Sequence, residues 1–288
     1  MFNKRFSFIM LFFVLTLIFP SLGVSAKTYT EEFSKTYTVK PGTKIKVYNI
    51  NGSIRISKWD KDEVEVNALK STKEDEDELE KVKIEVSING DMEIKTKYIE
   101  KRAKVGVSYE IKVPADIIVS YVESSNGEIG LKGTKGPSKV RTSNGRIEVE
   151  NIEGDIDLVT SNGKIEVEDV EGVLNALTSN GSIKVAGVAG ISKVVTSNGA
   201  INIEIPDIKG DEVEIRTSLG SIDLYISPDL NADIEMDTSL GSISYHDIPL
   251  VVSEKEKTHV EGKLGKVGKG GPKITVSTSL GSIDLYKL

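Results

Sequence analysis

Residues 160–185 read TSNGKIEVEDVEGVLNALTSNGSIKV, and the tripeptide Ser-Asn-Gly falls in them twice, eighteen residues apart. Asn-Gly between alternating apolar residues is the strongest short-range sign of a tight β-hairpin. The fold therefore turns on whether these are hairpin turns, corners of a repeating coil, or copies of a binding loop. Glycine falls at 127, 136, 145, 154, 163, 172, 181, 190 and 199, an unbroken period of nine. Every second one follows an asparagine: Asn126, Asn144, Asn162, Asn180 and Asn198. The unit is thus eighteen residues in two nine-residue halves. It continues more loosely to Gly220, Gly241 and Gly281, where the corner reads Ser-Leu-Gly, and has a forerunner at Gly52 in NINGSIRISKW.

The second residue after each corner glycine is isoleucine: Ile54, Ile129, Ile147, Ile165, Ile183, Ile201, Ile222, Ile243 and Ile283. The fourth is usually apolar, and the seventh is often so, as in Trp59, Ile152, Val170, Val188, Ile248 and Leu288. Period two after the glycine specifies a short strand with one buried face. The expected fold is all-β: a right-handed parallel β-solenoid with eighteen-residue coils of two short strands, the alternative being an antiparallel β meander. Position-specific identity favours the solenoid, because like residues stack on like, whereas a meander needs only the alternation. Leu219, Leu240 and Leu280 occupy the asparagine slot, where the positive φ of a type I′ turn would penalise leucine. A type II-like bend with positive φ at glycine alone is expected at the corner, with the asparagines stacked in an amide ladder from 126 to 198.

Residues 1–26 have Lys4 and Arg5 before an apolar run and end in PSLGVSA, the layout of a signal peptide cleaved after Ala26. The expected location is secreted or cell-surface, or membrane-anchored if that segment is retained. Removing it takes the net charge from −7 to −9, which disfavours nucleic acid and anionic membranes as partners. There is no cysteine, so neither a disulfide nor a lipidated N-terminal cysteine is available. Residues 27–288 read as a single domain. It comprises irregular N-terminal coils and a cap at 36–120, regular repeats at 121–248, a loop insertion at 249–273 and a final coil at 274–288.

The Asn-Gly-x-Ile pattern followed by Thr-Ser-Asn-Gly resembles the bacterial and archaeal putative-adhesin family, long labelled only as a domain of unknown function. KIKVYNINGSIRISKWDKDEVEVNA, VSYEIKVPADIIVSYVESSNGEI and GKGGPKITVSTSLGSIDLYKL resemble its opening, its entry into the repeats and its close. The resemblance covers about residues 36–288. It implies an extracytoplasmic β-solenoid and supplies no catalytic residues.

Outside the repeats, the acidic run at 71–86 is expected to form a short helix capped by Ser71 or Thr72. Trp59 reads as core or an N-terminal cover for the stack. Lys263, Lys266, Lys269 and Lys273 lie among five glycines, a basic loop that either contacts an anionic glycan or is a solvated surface hairpin. His246 and His259 are the only histidines and read as surface residues, a thin set for a transition metal. Asp155, Asp157 and Glu166 are offset by Lys164 and Arg146, so calcium ladders are not expected. No nucleophile elbow, phosphate loop or zinc-protease motif is present. Carboxylate pairs such as Glu148 with Glu166, or Glu166 with Glu168, arise by default on a solvated β face. The sequence points to a non-enzymatic surface or adhesion scaffold without cofactor, binding cell-wall glycan or envelope protein weakly and multivalently. A solenoid-type carbohydrate-active enzyme and an envelope-anchored sensor are the alternatives.

Overall fold

The computed structural model describes residues 27–265 and 271–288. The expected signal peptide, and Lys266 and Lys269 of the basic loop, lie outside the described residues.

Two alternating strands per repeat can close a coil whose apolar edges face each other. Each coil accordingly gives one strand to each of two facing walls, and equivalent strands of neighbouring coils pair in parallel. Along the first wall the order in space is Asp91–Tyr98, Lys44–Tyr48, Ile118–Asn126, Ser138–Asn144, Ile156–Asn162, then the second halves of Ile165–Asn180 and Ile183–Val195, then Glu212–Arg216, Lys273–Leu280 and Ala232–Leu240. Along the second it is Gly106–Val113, Ile54–Lys58, Ile129–Lys132, Ile147–Ile152, the first halves of Ile165–Asn180 and Ile183–Val195, Ile201–Ile205, Ile222–Ile226, Ile283–Lys287 and Ile243–His246. The fold is a parallel β-solenoid, and the meander is excluded because every pairing from coil to coil is parallel.

The order in space is not the order along the chain. The coil formed by residues 273–287 sits between those of 212–226 and 232–246. At the other end, the coil of 44–58 sits between those of 91–113 and 118–132. Antiparallel strands extend three of the four wall ends. Val82–Asn89 lies on Asp91–Tyr98, while Glu63–Thr72 and then Tyr29–Thr38 lie on Gly106–Val113. His259–Leu264 and then Leu250–Lys255 lie on Ala232–Leu240. The stretch read from sequence as a loop insertion therefore contains a paired hairpin, with Lys263 inside one of its strands. The acidic run also differs from expectation. Ser71 and Thr72 are still extended, paired with Thr30 and Tyr29, and the helix is a 3₁₀ turn over Glu76–Lys81 whose N-cap, Asp75, makes no side-chain cap bond.

The corner glycines are required by contact between backbones. A Cβ on Gly163 would fall on the carbonyl oxygen of Gly145, and the same holds for Gly145 over Gly127 and Gly181 over Gly163. Positive φ at the corner glycine, as expected, is found at Gly52, Gly199, Gly220 and Gly281, but Gly127, Gly145, Gly163 and Gly181 lack it, and there glycine is required because no side chain fits between stacked coils. The carbonyl so enclosed takes its hydrogen bond from the threonine two residues before the next coil's asparagine. Thr142, Thr160 and Thr178 donate from Oγ1 to Gly127, Gly145 and Gly163 at 3.1 Å each. Where asparagine gives way to leucine the threonine persists, with Thr217, Thr278 and Thr238 bonded to Gly199, Gly220 and Gly281 at 2.9 Å.

Between the walls runs one apolar core. In a regular coil Ile147, Val149, Ile152, Ile156, Leu158 and Thr160 all point inward and are buried. Ile147, Ile165, Ile183, Ile201, Ile222, Ile283 and Ile243 are successive partners in the pairing, and Ile54 pairs with Ile129 at the other end. The seventh position is less uniform than its sequence. Ile152, Val170 and Val188 are buried, but Ile248 is half-buried and Leu288 is exposed. Trp59 is half-buried as well, with its indole N–H bonded to the Glu63 carbonyl at 2.8 Å and the ammoniums of Lys61 and Lys112 over its ring.

Ile165→Ala should cost ~2–5 kcal/mol by urea denaturation, since the coils above and below cannot close the void. Thr160→Val should cost ~1–3 kcal/mol by leaving the Gly145 carbonyl buried without a donor. The adjacent exposed Ser161→Ala should stay within about 0.5 kcal/mol of the parent.

Candidate functional site

With the inward positions committed to packing, binding chemistry must come from the outward columns. On the first wall, Lys46, Tyr121, Lys139, Asp157 and Asn175 are successive outward partners in five adjacent strands. At 4.8 Å per step they span ~19 Å along the stack. Tyr48 lies beside Tyr121 with ring centroids 5.3 Å apart and planes inclined by 36°. Together they floor an open groove of about 580 Å³, with Lys44, Asp91 and Asp155 also on its rim.

The groove is polar above and aromatic below. Lys46 reaches Asp91 at 3.8 Å, Lys139 and Arg141 both reach Asp157 at 3.6 Å, and Lys95 stands over the Tyr48 ring at 5.5 Å. The Tyr121 hydroxyl donates to Glu123 at 3.0 Å, which holds that ring in place. Burial raises both phenol pKa values, and Glu93 and Glu123 beside Tyr48 and Glu123 beside Tyr121 raise them further. Both phenols therefore stay neutral donors at physiological pH. Two inclined aromatic rings among hydrogen-bonding groups of both signs suit a ligand with apolar ring faces and polar edges.

The second wall is arranged differently. Glu148 and Glu166, one of the carboxylate pairs noted in the sequence, are direct partners, but Arg146 bridges them and Lys164 holds Glu166 at 2.5 Å. Burial pushes the Glu166 carboxyl up, and the two cations more than offset this, so its pKa is lowered. A general acid needs the opposite shift. Further along, Tyr225, Tyr286 and His246 form an outward stack with centroids 5.1 and 5.0 Å apart. The repeated segment GSIDLY at 220–225 and 281–286 is the sequence signal for it.

At the corner, each asparagine donates from Nδ2 to the Oδ1 of the preceding one. Asn198, Asn180, Asn162, Asn144 and Asn126 make these bonds at 2.7–2.9 Å, and Asn51 receives the last. Asn51 in turn donates to the Tyr98 hydroxyl at 3.2 Å. The column continues as Leu219, Leu280 and Leu240, in that spatial order, exposed by 47%, 45% and 69%. Of the basic-loop residues, Lys263 is exposed and its Nζ is 4.0 Å from Asp233.

The family model described as Toastrack DUF4097 matches residues 42–286, from just before the first parallel strand into the last. The chain belongs to the Toastrack DUF4097 family. This agrees with the resemblance carried by the corner motifs. Among solved structures, it is similar to a putative adhesin from Bacteroides fragilis NCTC 9343, with 13% identity over 88% of this chain and 97% of that one and a TM-score of 0.47. A putative adhesin from Parabacteroides distasonis ATCC 8503 has 14% identity over 90% and 97%, with a TM-score of 0.45. A putative lipid binding protein from the same organism has 15% identity over 89% and 96%, with a TM-score of 0.43. At such scores these likenesses carry no argument for this Toastrack chain. No curated protein matches it. Among the described residues, no helix is long and apolar enough to cross a membrane.

The Glu166 environment gives a pH test. A carboxyl whose folded pKa lies below its unfolded value stabilises the fold above the unfolded value, and that stabilisation is lost as pH falls through the folded value. Glu166→Gln should therefore lose less stability than the parent when denaturation midpoints are followed downward from pH 6 through the carboxylate range.

Proposed function

We propose that this chain is an exported, non-enzymatic β-solenoid of the cell surface or envelope that binds a glycan or a surface protein weakly and multivalently. The observation that carries this is the tyrosine-floored groove, which crosses consecutive coils and offers stacking surface and both charge signs along the stack. A linear polymer lying along the axis meets a new rung every ~4.8 Å. Weak contacts in series give avidity without a deep pocket. The leader-like residues 1–26 support export, and the bridged Glu148–Glu166 pair supports binding without turnover.

The mature chain from Lys27 should bind members of a panel of cell-wall polymers and glycans. Tyr48→Ala and Tyr121→Ala should each weaken that binding about tenfold, as removal of an aromatic anchor does, while leaving thermal stability near the parent's. Binding equal in the variants and the parent, or no binding to any panel member, would overturn the reading. Release of products from the panel would establish the enzyme alternative instead.

A further inference from the structure

We propose that the hairpin on the end of the first wall carries a divalent-cation site of the zinc type, with His259, Glu254 and Glu261 as its ligands. The donor atoms of these three residues lie within 4.8 Å of one another. His259 and Glu261 alternate along one strand of the hairpin, and Glu254 on the other strand is the direct partner of Glu261. A register shift between Val252 and Glu254 brings that about, placing Glu254 opposite Glu261. Two carboxylates facing each other across a strand pair repel, and bulges of this kind re-aim side chains at sites.

The neighbouring lysines leave the two glutamates free. Lys273 is taken by Glu235 at 2.7 Å, Lys255 donates to the Tyr245 hydroxyl at 2.9 Å, and Lys263 is nearest Asp233. Among the described residues, neither Glu254 nor Glu261 has a cation within ion-pair distance. His259 is half-buried, and its Nδ1 lies 2.7 Å from the Asp237 carboxylate on the last coil. With Nδ1–H donated to Asp237, Nε2 carries the lone pair, the arrangement by which a carboxylate orients a metal-binding imidazole.

One imidazole nitrogen with two carboxylate oxygens suits Zn²⁺ better than a hard cation such as Ca²⁺. Glu235, Asp237 and His259 are equally close together, but Glu235 is paired with Lys273 and stands outside the site, while Asp237 orients the ring. A bound ion would join both hairpin strands and, through the His259–Asp237 bond, tie them to the last coil.

The test is calorimetric titration of the chain from Lys27 with Zn²⁺, with thermal melts run alongside. The expected result is one saturable site, a melting temperature that rises with Zn²⁺, and at least tenfold weaker binding in His259→Gln, Glu254→Gln and Glu261→Gln. The two glutamates are exposed, so their variants should keep the parent's circular dichroism and metal-free melting temperature. Glu235→Gln should bind as the parent does. Absence of saturable binding, unchanged affinity in His259→Gln, or equally tight Ca²⁺ binding would overturn the site. Loss of binding in Glu235→Gln alone would overturn the ligand set.

Discussion

Everything in this fold hangs on one close approach, where the carbonyl oxygen of a corner glycine lies in the place a Cβ on the next glycine would need. That contact brings two backbones together with nothing between them, and the threonine hydroxyl of the following coil completes the carbonyl's hydrogen bonding. It also fixes register. A slip of one residue would drive serine or asparagine into the space of the glycine and turn every inward isoleucine to solvent. Uniform columns follow: isoleucine on isoleucine inside, asparagine on asparagine at the corner.

Stacking like on like has an electrostatic cost on the outside, because a column of one charge repels itself. The chain meets this with cations set two residues away on the same face, as Arg146 and Lys164 are around Glu148 and Glu166. On the first wall, Lys139 and Arg141 meet Asp157 on the next strand. Elsewhere aromatic rings replace charge pairing: Tyr225 and Tyr286 are stacked partners in one outward column, and Tyr48 and Tyr121 meet diagonally across adjacent strands. Those rings gain from being repeated, where carboxylates would lose.

The solenoid was legible because its determinants are one-dimensional: a glycine, an isoleucine two residues on, and a fixed period. The reason for the glycine was not, since positive φ and a backbone contact select the same residue. The threonine column was also in plain view at Thr142, Thr160, Thr217 and Thr278, but a β-prone polar residue before a turn has many explanations. Coil order was hidden because Leu219, Leu240 and Leu280 present identical corners, and only the twin GSIDLY segments hint that 220–225 and 281–286 are neighbours. The groove needs that same knowledge at the other end. Lys46 and Tyr48 meet Tyr121 only because residues 44–58 slot in beside 118–132. The carboxylates around His259 likewise depend on a bulge that no local pattern announces.

The interleaved ends alter what it means for this stack to fray. In an ordinary repeat array the terminal units are the chain termini, and they peel away first. Here the outermost coils, 91–113 and 232–246, are internal in sequence, and the first and last coils along the chain, 44–58 and 273–287, are the second in from each end. Neither outer coil can leave without dragging two covalent connections, and neither second coil can slide out without parting four parallel ladders. A chain made from its N-terminus must also leave a gap one strand wide until residues 273–287 arrive to fill it. Those strands are thus a keystone, and the stack is closed only once residues 273–287 are in place.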